Sequence, residues 1–364
     1  MSDNLKRYRA IKAGIFQLYP KQVSGHLAQS LIVLAMFING IVASKSTHLR
    51  EVAKKTPTGA KVNSREMQLS RWYKNPAVTQ ELYMLPYVKQ VLDGLSERTL
   101  TIIIDGSEVG RGCMALLLTV VYQRRAIPLL WTVVKGSKGH LPTATHLDLL
   151  RQLQELLPAG VDVVLLGDGE FDSVELQTFA NQQGWCYVCR TAKNSQVCEL
   201  SVWQALDEIT LWPGCCFSLP DVQFTHRDYG PVLVILWWQK GEKEPIYLIT
   251  NCDLTAEACR FYSKRMRIET FFSDQKSRGF HLHKSHINDP ERLSRLMIAA
   301  CLAYIWIVAL GILTVKRDLV RVIHRTHRCD LSLFQLGLDL LEYLLNEDKL
   351  IPVSFALRFS KRKL

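Results

Sequence analysis

A chain of 364 residues, 48% hydrophobic and carrying a net charge of +11, is long enough for one large core with additions or for two to three domains, and its charge calls for a polyanionic partner. Its ten cysteines lie mostly inside apolar runs such as Trp185-Cys186-Tyr187-Val188-Cys189-Arg190, which argues for reduced core thiols of a cytoplasmic protein and against a disulfide framework. The basic excess is local: residues 1–75 hold 13 Lys and Arg against 3 Asp and Glu, and residues 260–295 hold 9 against 4.

In chain order, residues 1–98 read as mainly helical, with apolar spacing through Ile11, Phe16 and Leu18 and again over residues 27–42. No secretory signal is visible, because the first long apolar stretch begins near Leu27 and lacks a small-residue cleavage site. A basic stretch follows through Arg50, Lys54, Lys55, Lys61, Arg65 and Arg71, with a turn at Pro57-Thr58-Gly59. Arg71-Trp72-Tyr73-Lys74 interleaves cations with aromatics, as either a DNA surface or an anchored helix end does. We expect a helical, basic DNA-binding domain over 1–98.

From Leu100 the pattern becomes β. Strands over 100–105, 114–122 and 126–134 are joined by short links, Gln123-Arg124-Arg125 among them, which implies an antiparallel meander. A loop at 135–140, a helix over about 145–157, a strand at 161–167, a helix over about 173–184 and a strand at 185–190 follow. Residues 191–254 alternate Trp, Cys, Pro and Gly with β-branched runs at 232–238 and 246–250, which reads as a β-rich insertion. Trp203, Trp212, Trp237, Trp238 and Tyr247 lie in it and are expected mainly in its core, with base stacking as the alternative. Cys186-x2-Cys189 is half of a zinc spacing that Cys215-Cys216 or His281, His283 and His286 would have to complete, and no second spaced pair accompanies it.

Residues 296–315 carry no charge and would span about 30 Å as a helix. Arg292 and Arg295 at one end and Lys316 and Arg317 at the other leave no charge asymmetry to orient a membrane span. We expect a buried core helix and no membrane. A basic helical tail over 316–328, an amphipathic helix near 331–345 and a cationic end at 360–363 complete the chain.

Two aspartates end apolar β-type runs: residues 100–104 run into Asp105-Gly106, and residues 161–167 run into Asp168-Gly169. Singly, each is a turn former or helix cap more often than not. A third acid, Glu269, stands in Phe261-Tyr262-Ser263-Lys264-Arg265-Met266-Arg267-Ile268-Glu269, and Tyr262, Arg265, Glu269 and Lys276 recur at offsets of 3, 7 and 14. On one continuous α-helix those offsets fall within roughly a 60° arc, while Phe261, Ile268 and Phe272 fall on the adjoining face and would bury it.

The pattern Y-x2-R-x3-E-x6-K, matched by Tyr262, Arg265, Glu269 and Lys276, resembles the signature of the "insertion sequence 4" family of bacterial DDE transposases, and the likeness covers about residues 99–315. Many relatives carry Trp where this chain has Met266. The resemblance implies an α/β, RNase H-like catalytic domain over 99–315, interrupted by the β-rich insertion at about 191–254 and followed by the basic tail 316–364. It makes Asp105, Asp168 and Glu269 the catalytic metal ligands. Three gathered carboxylates repel one another by about 4 kcal/mol per pair at 4 Å and an effective dielectric of 20, and two hard Mg²⁺ ions, or Mn²⁺, would relieve that. Arg265 and Lys276 would clamp phosphates, Tyr262 would stack or donate, and Arg190 and Lys193 would touch the DNA backbone.

The implied activity is metal-dependent cleavage at the terminal inverted repeats and strand transfer into target DNA, through a hairpin intermediate, by a homodimer in a synaptic complex. A non-mobile nuclease or DNA-binding descendant of a transposase is the alternative. The implied location is cytoplasmic and nucleoid-associated.

Overall fold

The computed structural model describes residues 2–19, 23–136, 141–324 and 329–355. The greater part of the expected 135–140 loop, the end of the basic tail at 325–328 and the cationic end at 360–363 lie outside them. The first hundred residues form α1 (Asp3–Phe16), α2 (Gly25–Ser44), α3 (Leu49–Lys54), α4 (Val62–Lys74), α5 (Gln80–Tyr83) and α6 (Leu85–Leu95). Trp72 is buried and donates its indole N–H to Ser30 Oγ at 2.9 Å. The cation–aromatic run is therefore an anchored helix end: Trp72 faces the helical core while Arg71 and Lys74 face solvent.

The meander is present as β1 (Leu100–Gly110), β2 (Cys113–Tyr122) and β3 (Arg125–Lys135). β1 runs five residues past its expected end because β2 keeps pairing with it through Ser107 and Glu108, polar positions that do not read as strand on their own. There follow α7 (Thr143–Gln154), β4 (Val163–Gly167), α8 (Val174–Gln182) and β5 (Cys186–Thr191). β1, β4 and β5 are parallel neighbours and β2 is antiparallel to β1, giving the order β3-β2-β1-β4-β5 of an RNase H-like core. Unbroken burial over residues 100–105 of β1, 113–120 of β2 and all of β4 requires cover on both faces.

The insertion supplies β6 (Gln196–Glu199), β7 (Val202–Ala205), β8 (Cys216–Phe224), β9 (Tyr229–Trp237) and β10 (Ile246–Thr250). β10 pairs antiparallel with β5, so these strands continue the catalytic sheet into one ten-stranded sheet ordered β3-β2-β1-β4-β5-β10-β9-β8-β6-β7. Trp203 and Trp212 are 38% and 64% exposed, against the core placement expected of them; Trp237 and Trp238 are half-buried and Tyr247 is buried.

After the sheet come α9 (Thr255–Tyr262), α10 (Arg267–Gln275), α11 (Pro290–Lys316), α12 (Val320–Ile323) and α13 (Leu333–Asn346). α7 and α8 touch each other and the sheet, α10 and α11 do likewise, and together they supply its cover. By length and composition α2 and α11 are each long and apolar enough to cross a membrane. α11 is enclosed within the protein by α13, α2, α4, β3 and α10. α13 lies close against it because Gly311 and Gly337 have no side chains: a Cβ at either would fall within 2 Å of a backbone oxygen, Leu333 O or Ile307 O.

Candidate active site

β1 and β4 carry the two aspartates to one level. Their parallel register pairs Ile102 with Leu165 and Ile103 with Leu166, and extending it by two residues sets Asp105 beside Asp168. Asp105 Oδ1 accepts from its neighbour Gly106 N at 2.8 Å. Asp168 closes a turn, with Oδ1 accepting from Glu170 N at 2.9 Å and its carbonyl accepting from Phe171 N at 3.0 Å. Phe171 is fully buried beneath that turn, and a Cβ at Gly167 would stand 2.5 Å from it. The glycine that stops β4 thus lets the chain fold back tightly enough to aim Asp168 out of the sheet.

The third acid arrives differently from the expectation. Tyr262 to Lys276 is not one α-helix: α9 ends at Tyr262, residues 263–266 form a tight turn, and α10 begins at Arg267. Bonds from Lys264, Arg265, Arg267 and Ile268 N reach back only three residues, which winds the chain more tightly than an α-helix and voids the single-face arithmetic. Neither Gly nor Pro marks this break. Arg265 and Glu269 still meet, with Nη1 at 3.8 Å from Glu269 Oε1, and the same Nη1 donates to Asp105 Oδ2 at 3.0 Å. Ile268 and Phe272 are buried and hold α10 to the core as expected. A buried ion pair, Arg125 Nη1 to Asp274 Oδ2 at 2.7 Å, ties the same helix to β3.

Burial pushes the Asp105 carboxyl up to about 7, Asp168 adds to that, Arg265 opposes it and Glu269 adds again. Three oxygen donors from three elements, one of them raised by burial and by its acidic neighbours, suit a hard divalent cation by chemistry. Among the described residues no three of His, Cys, Asp and Glu are drawn into a ready-made metal cage; the guanidinium of Arg265 bridges Asp105 and Glu269 instead.

Lys276 ends α10 and donates Nζ to Ser107 Oγ at 2.7 Å. Ser107 lies two residues beyond Asp105 on the same strand and so on the same side of it, a placement the period of two made readable in advance. Arg190 and Lys193 line a groove of about 680 Å³ that opens from Asp168 and Arg265 along β5 and β10, with Trp238, Tyr247 and Lys243 on its walls. Tyr262 is buried, 8% exposed, at the base of an adjoining hollow shared with Arg190 and Arg265. Glu170 also belongs here and was missed. Its Oε2 would stand 4.0 Å from a Cβ at Gly106, and its Oε1 accepts from Leu141 N at 2.7 Å; the signal was an acid two residues past Asp168. Cys186 and Cys189 lie on β5, Cys216 opens β8, and His281, His283 and His286 follow α10 near β1; among the described residues neither Cys215-Cys216 nor these histidines complete a cluster of three metal-ligating side chains with them.

Asp105 midway along β1 and Asp168 just past β4, with a third acid on a following helix, bring three carboxylates together on an RNase H-like core. Residues 91–306 match the family model described as "Transposase DDE domain", and the chain belongs to that family. No curated protein matched this chain. Among solved structures it is similar to the piggyBac transposase in a cryo-electron microscopy synaptic complex with hairpin DNA, at 12% identity and a TM-score of 0.51, over 94% of this chain and 77% of that one. At that identity the likeness is one of fold.

Proposed function

We propose that this DNA transposase is of the "insertion sequence 4" type, cutting at the terminal inverted repeats of its element and joining the freed ends to target DNA as a homodimer in the synaptic complex. The observation that carries the reading is the gathering of Asp105, Asp168 and Glu269 around Arg265, with Asp105 pushed up to about 7 by burial and its acidic neighbours. Asp105, Asp168 and Glu269 would hold two Mg²⁺, or Mn²⁺ in their place; ions bound there supply the lowered pKa of an attacking water and a charge sink for the leaving oxygen of an in-line displacement.

The chain's own groups do the rest. Arg265 sets a positive charge between Asp105 and Glu269 and is the planar cation to which a phosphate beside them would bond. Lys276, seated on Ser107, places a point charge two residues along β1 from Asp105. Arg190 and Lys193 extend positive charge along the groove, where a strand can be held without sequence discrimination.

Intact and precleaved element ends, purified protein and Mg²⁺ test this directly. Wild type is expected to join ends to target DNA, while Glu269→Gln abolishes both cleavage and joining and leaves end affinity nearly unchanged. Arg265→Ala and Lys276→Ala are expected to weaken end binding by about 1.5–3 kcal/mol each. Cleavage without joining by wild type would replace the transposase reading with that of a nuclease.

A further inference from the structure

The chain leaving α10 turns back onto the N-terminal helices. Phe280 O accepts from Thr47 N at 2.8 Å and His281 O from Thr47 Oγ1 at 3.2 Å. His281 takes a left-handed φ of 51° there and leads into a short turn, Leu282–Lys284, against β1. That splice sets His48, just ahead of α3, edge-on to His286 with ring centroids 5.5 Å apart. Arg111, in the β1–β2 turn, meets His286 Nδ1 at 3.0 Å, and since a guanidinium only donates, the imidazole accepts.

Farther in, the rings of His281 and His283 stand 5.8 Å apart, and Lys276 closes the row beside Ser107, on the strand that carries Asp105. His283, His286, Lys284 and Arg111 are exposed, so packing does not account for them. Burial, then His281, Lys284 and Lys276, hold the His283 pKa below the ordinary histidine range. Every charged neighbour acting on it is a cation or becomes one. The acid acting on His48 is Glu51, which is itself bonded to Lys54 at 2.7 Å.

We infer that this face, from Lys276 through His283 to Arg111, His286 and His48, seats the DNA duplex leading away from the acids, and that His283 takes up a proton as phosphates dock. The inference rests on the transposase reading and names the surface that reading needs. A phosphate beside an imidazole favours its charged form, so the complex binds more protons than the free protein. Affinity must then rise as pH falls through the histidine range. The charged histidine also adds a counterion-releasing contact.

The test is fluorescence anisotropy of the full-length protein with a labelled duplex of arbitrary sequence in EDTA, at about pH 8 and about pH 6 across a salt series. Wild type is expected to bind severalfold tighter at the lower pH, with the slope of log affinity against log salt steeper by roughly one. His283→Gln with His286→Gln should lose that gain and match wild type at the higher pH, and His283→Lys should bind more tightly than wild type at the higher pH. Arg111→Ala should flatten the salt slope by about one at both pH values. A double variant that keeps the wild-type gain overturns the inference. If it does so while wild type still joins ends with Mg²⁺, the transposase reading stands; a pH gain confined to wild type, without any joining, would leave the surface assigned and remove the reading.

Discussion

Asp105 stands between opposed influences: burial and two acids push its carboxyl up to about 7, and one guanidinium at 3.0 Å pulls it back. Its folded value lies above the ordinary carboxylate range, so ionising it costs stability. Without metal, that loss sets in as pH rises above the unfolded value and is complete just past about 7. Burial also raises Asp274, to about 6, and its share of the slope ends earlier. Urea unfolding of wild type in EDTA should therefore show stability still falling between about pH 6 and about pH 7. Asp105→Asn should remove that last portion and leave stability above it unchanged or raised, while ending metal-dependent cleavage. A slope that persists in the variant would assign it to some other group.

The helix that carries Glu269 is nine residues long and is broken from α9 by a tight turn, so it has little stability of its own. It is held by Ile268, Phe271 and Phe272 in the core and by the buried Arg125–Asp274 pair. Arg125→Met should cost about 3–5 kcal/mol by leaving Asp274 buried without its partner, and adding Asp274→Leu should recover most of that. Cleavage by the single variant should fall further than DNA binding does, because Glu269 rides on the displaced helix; equal losses in both would show a general loss of fold instead. Elements of this kind were unevenly legible beforehand. The strands bearing Asp105 and Asp168 were readable because β-branched runs stopped at glycine. The break at 263–266 was not, since it depends on three-residue hydrogen bonds in a stretch without Gly or Pro. Arg125 and Asp274 lie far apart in sequence, and no local spacing announces such a pair.

At the scale of the molecule α11 is the common wall: N-terminal α2 and α4, core β3 and α10, and C-terminal α13 all pack on it. Its length and apolarity marked it as buried or membrane-spanning. Its partners were not legible, because they are drawn from both ends of the chain and packing has no local signature. Gly311→Ala tests the closest of these contacts. The new methyl carbon would sit 1.8 Å from Leu333 O, which a backbone cannot yield cheaply, so α13 must move off and unfolding should become easier by more than about 2 kcal/mol. Circular dichroism and thermal unfolding would show it, and a neutral effect would mean the helices lie farther apart. An isolated fragment of residues 1–98 should aggregate, since α2 would lose the wall that covers its apolar face; a monomeric, cooperatively folding fragment would contradict this.

The ten-stranded sheet has two outer margins of unlike character. β3 packs beneath α7, α10 and α11. β7 is four residues long; its own Val202 and Trp203 are 62% and 38% exposed, and Leu200 just ahead of it is 94% exposed. Backbone pairing between copies, the usual hazard of an uncovered strand, therefore has a place to begin at β7. That margin is six strands from β4, roughly 29 Å at ~4.8 Å per strand. Chains that clump by adding strand to strand there would leave Asp105 and Asp168 far from the new contact, so a preparation could lose solubility well before it loses its chemistry.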